Sequence, residues 1–250
     1  MSSTAISRSG RSREDVGAPR AEAELTCAVV DQIGDLYRPG LGRSLFVVPE
    51  AALGQGRPDL VVLCASPSAM RAIARSSLRL PSFVAARAMD PNVPVDRHSV
   101  TPKHVALLRR SLESQGWSAS WLDRWSRSLY WSTTIEVKVR DWSRGVAQAS
   151  RYGRFAHTTD LVIRERGLTA TAESVIRKRG VGLVVETENG LVRRAPSAAR
   201  HPGRSEKAWL VELLLRSIEV GDAYTPSADL KELSALLSAS TRPRYGSPVK

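Results

Sequence analysis

The chain has 250 residues, of which 42% are hydrophobic and 25% are charged, values that suit a globular protein with a buried core. Its 37 Lys and Arg residues outnumber 25 Asp and Glu residues, which gives a net charge of +12 at pH 7. This excess favours a polyanionic partner, although an arginine-rich solvated surface would carry the same charge. No apolar run approaches the roughly 18 residues of a membrane span, and no signal-peptide core is evident, so we predict a cytoplasmic protein that does not bind membranes.

Several common site chemistries have no support in the sequence. Cys27 and Cys64 lie in apolar stretches without the spacing of a metal or redox pair, and we expect both to be buried. The absence of a Gly-Lys dipeptide excludes a phosphate-binding loop of the ATPase type. The four histidines are scattered without ligand spacing: His98, His104, His157 and His201.

The first part of the chain reads as a disordered segment, a helix and two strands. Residues 1–20, like the tail at 241–250, are polar, and we predict disorder for both. From Ala21 apolar residues recur at helical spacing until Pro39-Gly40, which predicts a helix. Strands are predicted over 44–53 and 58–65, joined by a turn at 54–56.

Residues 66–131 are predicted to be a helical insertion, with helices at 68–75, 104–115 and 118–129 around a proline-rich stretch at 90–102. On the last helix, tryptophans recur every four residues, which indicates a stripe that packs against the core. A base-stacking platform is the alternative interpretation of these residues. A helix-turn-helix over 101–127 is a further alternative, without a clear recognition helix. The stripe consists of Trp117, Trp121 and Trp125.

The remainder of the chain predicts an α/β fold. After a strand around Glu136 come a helix at 144–156, a strand at 160–164 and a helix at 169–178. A hairpin then turns at Asn189-Gly190 between strands at 181–186 and 191–194, and helices at 206–218 and 228–238 follow. The predicted core comprises 21–65 and 132–200, followed by C-terminal helices at 201–240.

Two segments carry acidic groups where a strand should be apolar. Asp59 directly precedes the apolar residues 60–63, and strand alternation places Glu136 and Lys138 on one face. If these strand ends are neighbours, two carboxylates and an ammonium group converge, a set that can hold a hard divalent cation and orient water against a phosphodiester. Glu-x-Lys by itself is a weak signal, because such pairs are common on solvated strand faces.

The helix predicted after Glu136 makes the pattern more specific, because Gln148 and Tyr152 lie one turn apart on one face. The order Asp59, Glu136-x-Lys138, Gln148-x-x-x-Tyr152 resembles the RecB-type branch of the PD-(D/E)xK nuclease superfamily. Asp141-Trp142 before the helix adds to the resemblance. It covers under half of the chain, roughly 21–65 and 132–165.

The resemblance implies a restriction-endonuclease-like fold, in which helices flank a mixed central sheet. It also implies a metal-dependent nuclease that hydrolyses DNA phosphodiester bonds. It implies that Asp59 and Glu136 hold Mg²⁺, for which Mn²⁺ would substitute, with the Val137 carbonyl as a further ligand. Lys138 would orient or activate the attacking water. Gln148 and Tyr152 would position the DNA backbone.

Members of the superfamily often add an acidic residue from the first helix. Glu22 lies on the same helical face as the apolar stripe and Glu24 points elsewhere, but the helix dipole could equally explain either acid. Four arginines flank the predicted site and are expected to contact DNA phosphates, unless they are only solvated. They are Arg140, Arg144, Arg151 and Arg154.

A rival hypothesis is a non-catalytic DNA-binding or assembly module that retains the nuclease fold. The presence of Asp59, Glu136 and Lys138 together argues against it, because a degenerate copy would be expected to have lost at least one of them. A homodimer and a helicase or defence-system partner both remain open.

Overall fold

The structure is a computed structural model that describes residues 18–53, 56–76, 78–93, 101–226 and 229–239. The prediction of disorder was wrong for residues 18–20, which belong to a helix that begins at Ala18. The rest of that segment, the tail at 241–250, and positions 54 and 55 of the predicted turn lie outside these ranges. Within them, no helix has the length and apolar character needed to cross a bilayer.

The described residues form six strands in one mixed sheet, whose spatial order follows the chain. They are β1 (Ser44–Pro49), β2 (Leu60–Ala65), β3 (Leu129–Lys138), β4 (Thr158–Arg164), β5 (Gly182–Thr187) and β6 (Gly190–Ala195). β1, β2 and β3 are antiparallel neighbours, β3, β4 and β5 are parallel, and β6 returns antiparallel to β5. The predicted α/β class with a mixed sheet is confirmed.

Ten α-helices accompany the strands in the described part of the chain. They are α1 (Ala18–Asp31), α2 (Ile33–Leu36), α3 (Pro67–Arg75), α4 (Phe83–Met89), α5 (Pro102–Ser114), α6 (Ala119–Ser128), α7 (Trp142–Tyr152), α8 (Ala170–Lys178), α9 (Arg204–Val220) and α10 (Asp229–Ala239). The sequence pattern missed α4, which is short and begins at the Ser82 cap. The predicted helix at 144–156 ends four residues early, and the strand predicted over 44–53 ends at Pro49.

Helices cover both faces of the sheet, because β2 and β3 alternate their side chains between two cores. Leu60 and Ile135 face the core beneath α1. Val61 faces the opposite core, which the helices of the insertion share with α9 and α10. On that same side α7 and α8 pack over β4 and β5 around Leu161. The sheet is therefore the middle layer of three.

The insertion helices and the C-terminal helices form one hydrophobic core rather than two separate ones. Trp117 and Trp125 are buried there and Trp121 packs at its margin, so the interpretation of the tryptophan stripe as core packing is confirmed. Glu212 of α9 is fully buried and binds the guanidinium groups of Arg79 and Arg216. A buried carboxylate with several donors ties α9 to the loop before α4.

The two cysteines differ from each other in the structure. Cys64 is buried in β2, as expected, but Cys27 lies on the outer side of α1 and is exposed. The prediction for Cys27 was wrong because the apolar stretch around it is amphipathic: Leu25 and Val29 face the sheet while the residue between them faces solvent.

Candidate active site

The pairing of β2 with β3 places Asp59 beside the Glu136 strand. Leu60 lies opposite Ile135, so the residue before β2 reaches the next positions of β3. The Val137 N–H donates a hydrogen bond of 2.6 Å to Asp59 Oδ2. The carboxylate is thereby fixed at the sheet although it lies outside the strand, and the predicted convergence of the two segments is present.

The ammonium group of Lys138 is the centre of an oxygen cluster. Its Nζ lies 2.9 Å from Glu136 Oε1 and donates a 2.8 Å hydrogen bond to the Val137 carbonyl. The same nitrogen lies 3.8 Å from Asp59 Oδ2 and 3.8 Å from Glu22 Oε2. Since the carboxylate oxygens all lie within 3.8 Å of one nitrogen, no two of them are separated by more than twice that distance.

Burial makes this cluster electrostatically unusual. Glu136 is 1% exposed, and burial, followed by the charge of Asp59, raises its pKa to about 7 despite the opposing effect of Lys138. Glu136 Oε2 is buried without a hydrogen-bond partner among the protein groups. A buried carboxylate oxygen without a partner is costly, so a cation or a water molecule at this point would be stabilising.

Lys138 stays protonated at neutral pH. Its burial acts to lower the pKa, but the hydrogen bond and charge of Glu136, together with the charges of Asp59 and Glu22, outweigh that effect and raise it. A lysine with a raised pKa is a poor base. Of the two roles predicted for this residue, orienting water or stabilising charge therefore fits the geometry better than proton removal.

Helix α7 lies directly over the site. Asp141 caps it by accepting a 2.9 Å hydrogen bond from the Arg144 N–H. Gly145 lies near the start of this helix, and a Cβ at that position would be 2.6 Å from Leu161 Cδ1 and 2.9 Å from Lys138 Cγ. Only glycine allows this close approach. Gly145 was not among the predicted site residues, although an internal helical glycine, which costs about 1 kcal/mol relative to alanine, is a signal of close packing.

Tyr152, at the end of α7, is brought to the carboxylates. Burial, followed by the charges of Glu136 and Asp59, raises the pKa of the Tyr152 hydroxyl to about 12. Gly56 lies against its ring, since a Cβ there would be 3.1 Å from Tyr152 Oη. Gln148, one turn earlier, has a buried Oε1 without a hydrogen-bond partner, as expected of a side chain that awaits a ligand or water.

The two acids proposed on the first helix have different positions. Glu22 reaches Lys138, as described above, and joins the cluster. Glu24 instead pairs with Arg20 at 3.2 Å on the exposed side of α1 and takes no part in the site. The two acids differ because Glu22 lies on the helical face that carries Leu25 and Val29, whereas Glu24 does not.

The four predicted DNA-contacting arginines are exposed. Arg140 follows β3, Arg144 lies in the first turn of α7, and Arg151 lies in its last turn, where its charge acts on Tyr152. Arg154 lies outside α7, because the helix ends at Tyr152 and not at the predicted residue 156. The Arg154 guanidinium instead lies 4.6 Å from the centre of the Phe155 ring.

A second buried carboxylate, Asp160 of β4, faces the opposite side of the sheet and is fully bonded. Arg193 donates to its two oxygens at 3.1 and 2.9 Å, and the hydroxyls of Tyr37 and Ser197 donate as well. This saturation marks Asp160 as a structural link between β4 and β6 and contrasts with the incomplete bonding of Glu136.

The side chains of the cluster supply only some of the ligands that a hard cation such as Mg²⁺ needs. Across the described ranges, no three His, Cys, Asp or Glu side chains are placed to ligate one ion. Oxygens of Asp59, Glu136 and the Val137 carbonyl nevertheless surround the Lys138 ammonium, and Mg²⁺ commonly takes one or two carboxylates and fills its other positions with water. The unbonded Glu136 Oε2 is consistent with such a ligand.

Comparison of the chain with protein-family models, with curated proteins and with solved structures finds no match. The chemistry of the site has therefore to be inferred from its geometry and its charges.

Proposed function

We propose that this chain is a metal-dependent nuclease that hydrolyses DNA phosphodiester bonds and that its sheet is a restriction-endonuclease-like core. The observation that carries the proposal is the convergence of Glu136, Asp59 and the Val137 carbonyl on one point, where the Lys138 ammonium now lies. These oxygens lie 2.8 to 3.8 Å from the Lys138 nitrogen, whereas Mg²⁺ needs oxygens at about 2.0–2.1 Å, so metal binding would require the ammonium group to move aside and the oxygens to move inward.

Each residue of the cluster has a role in this proposal. Bound Mg²⁺ would polarise the scissile phosphate and lower the pKa of a bound water. Asp59 and Glu136 hold the metal ion with the Val137 carbonyl, and Glu22 adds a negative charge at the edge of the site. Lys138 keeps a positive charge next to the phosphate, where it orients the attacking water and stabilises the charge that develops during attack.

Helix α7 supplies the groups that position the substrate. Gln148 and Tyr152 lie on the side of the helix that faces the site, and the Tyr152 hydroxyl remains protonated because its pKa is raised. A protonated hydroxyl and an amide are suitable donors for phosphate oxygens, and such contacts carry no sequence information. The net charge of +12 supports a polyanionic substrate.

The rival function, DNA binding without turnover, also has one supporting observation. The Lys138 ammonium already contacts Glu136 Oε1, so this carboxylate oxygen is neutralised without a metal ion. The Oε2 of the same residue forms no hydrogen bond of good geometry, although the Tyr152 hydroxyl is near enough to Glu136 to raise its own pKa through a hydrogen bond. A buried carboxylate oxygen without a good partner is costly, which favours a bound cation at this point and therefore the nuclease.

The deciding experiment is incubation of the purified chain with linear, closed circular and single-stranded DNA, and with RNA, in the presence and absence of Mg²⁺ or Mn²⁺. We expect the parent chain to cleave DNA when the metal ion is present and not when it is absent. The Asp59→Ala variant should not cleave DNA in either case. Cleavage of closed circles would identify an endonuclease. Tight DNA binding with no cleavage under any of these conditions would establish the non-catalytic alternative.

A further inference from the structure

A cavity of about 410 Å³ lies at the opposite end of β3 from the carboxylate cluster. Its walls include Tyr130, Arg124, Arg127 and Asp123. Glu136 is six residues further along the strand, about 20 Å at a rise of roughly 3.3 Å per residue. The volume is within the range of small-ligand sites, roughly 300–1,000 Å³. The cavity is therefore separate from the proposed active site.

A β-bulge directs Tyr130 into this region. Cys64 pairs with Trp131 and the next residue of β2, Ala65, pairs with Leu129, so Tyr130 is an extra residue without a partner in β2. Bulges redirect side chains and are frequent beside functional sites. Here Leu129 is buried, whereas Tyr130 is 43% exposed, which is unusual for a large ring within a central strand.

The Tyr130 ring is already prepared for stacking. The Arg43 guanidinium lies 3.8 Å from the ring centre and restrains it from one side. Tyr130 lines the cavity and Arg43 does not. An arginine, a tyrosine ring and a nucleobase in succession are a favourable stack, because the ring face attracts the guanidinium cation and bases stack on aromatic side chains.

Guanidinium groups are present where a phosphate would accompany such a base. Arg124 and Arg127 both line the cavity, and both are exposed. Arg124 lies 4.6 Å over the Trp121 ring, which restricts its conformations. Asp123 is shared by Arg127 at 2.6 Å and Arg204 at 3.5 Å, so the arginines outnumber the single carboxylate at this cavity. The local charge is positive, and planar guanidinium groups match phosphate oxygens.

We propose that this cavity is a nucleotide-binding site, in which the base stacks on Tyr130 and the phosphate is bound by Arg124 and Arg127. The ligand is either a free mononucleotide or one unpaired nucleotide of a nucleic acid strand, since both offer a base and a phosphate. The site is independent of the proposed nuclease activity, because none of its residues takes part in the carboxylate cluster.

The test is equilibrium binding to the full chain in EDTA, which prevents metal-dependent cleavage. The probes are ethenoadenosine monophosphate and a short labelled oligothymidylate, and the fluorescence anisotropy of each probe measures its binding. We expect Tyr130→Leu to weaken binding about tenfold, because it removes the stacking surface but keeps an apolar side chain. Tyr130→Phe should bind within about twofold of the parent chain, because stacking uses the ring and not the hydroxyl. Arg124→Gln should weaken binding about as much as Tyr130→Leu.

Tyr224→Ala is the matched control, since Tyr224 is 42% exposed and lies on another part of the surface. It should leave both affinities unchanged. Loss of affinity for both probes in Tyr130→Leu would support a site open to free nucleotides, and binding of the oligonucleotide alone would support an unpaired nucleotide of a strand.

Unchanged affinity for both probes in Tyr130→Leu and Arg124→Gln would overturn the proposal. Full competition by inorganic phosphate, together with no effect of Tyr130→Leu, would also overturn it, because the ring would then make no contribution.

Discussion

The Val137 N–H donates a 2.6 Å hydrogen bond to Asp59 Oδ2, and this bond joins the entrance of β2 to the strand that carries Glu136 and Lys138. It fixes the Asp59 carboxylate next to the cluster and leaves its second oxygen for another ligand. Asp59 thus contributes to the geometry of the site as well as to its charge.

Asp59→Ala should abolish metal-dependent cleavage of DNA while DNA binding stays the same or becomes tighter, because an anion that repels phosphate is removed. Asp59→Asn is the matched variant, since its side-chain oxygen still accepts the Val137 hydrogen bond but carries no charge. Both should be inactive in a plasmid cleavage assay. Normal cleavage by either purified variant would remove Asp59 from the metal site.

Lys138→Ala should lower the turnover rate by about 10²-fold or more with little change in DNA affinity, because the charge that stabilises the developing negative charge is lost. Lys138→Arg should not restore it, since a planar guanidinium does not replace a compact ammonium group. Single-turnover kinetics and a binding isotherm separate the two effects. Full activity in Lys138→Ala would reduce the Glu136–Lys138 contact to a structural ion pair.

Gly145→Ala should lower both stability and activity. The new methyl group would meet Leu161 and the Lys138 stem at under 3 Å, so α7 would have to move away from β3. Overpacking of this kind typically costs about 1–3 kcal/mol. Gly34→Ala is the control, because a Cβ at Gly34 meets nothing within 4 Å. Thermal unfolding and plasmid cleavage should both distinguish the two variants, and equal behaviour would mean that α7 is not held close to the site.

The salt dependence of DNA binding tests the arginines near Tyr152. Two or three phosphate contacts should give a slope of about −2 to −3 in a plot of log K against log[salt]. Arg151→Gln combined with Arg154→Gln should flatten this slope and weaken binding equally for unrelated sequences. The control is a variant in which Lys178 and Arg179, at the end of α8, are both replaced by Gln, which removes the same charge and should leave the slope unchanged. An unchanged slope in the Arg151 and Arg154 variant would assign the DNA path to another surface.

His157 should make the free energy of unfolding depend on pH. Its Nδ1 accepts a 3.0 Å hydrogen bond from the Ser132 N–H, which only the neutral ring can do. Burial, followed by the charges of Lys207 and His201, lowers the His157 pKa to about 4 from the usual 6.5. Between these pH values the unfolded chain binds more protons, so stability is fully present above about pH 6.5 and is lost as the pH falls towards 4.

The size of this effect is at most about 1.4 kcal/mol per pH unit for a single group. Urea unfolding of the parent chain and of His157→Gln between pH 4 and 7 measures it. The variant should lose the part of the pH dependence that comes from His157, although it is less stable at pH 7. Parallel pH profiles for the two proteins would show that His157 takes up its proton as readily in the folded as in the unfolded chain.

Local sequence patterns were sufficient for the class of the fold and for most elements. Alternation in β3 placed Glu136 and Lys138 on one face, and the helical stripe of Leu25, Val29 and Ile33 identified the helix that covers the other side of the sheet. These patterns can be read locally because burial of one face imposes a period of two on a strand and 3.6 on a helix. Helix ends were less accurate, as Arg154 shows, because capping and tertiary packing decide them.

Pairings between distant segments were decided only by the tertiary structure. The register of β2 on β3 brings Asp59 to Val137, and the packing of α1 brings Glu22, but not Glu24, within reach of Lys138. The bulge at Tyr130 and the close approach at Gly145 likewise depend on residues far away in the chain. No short-range pattern encodes these contacts, because each one is fixed by strand register and by the shape of the packed helix, which all the surrounding side chains determine together.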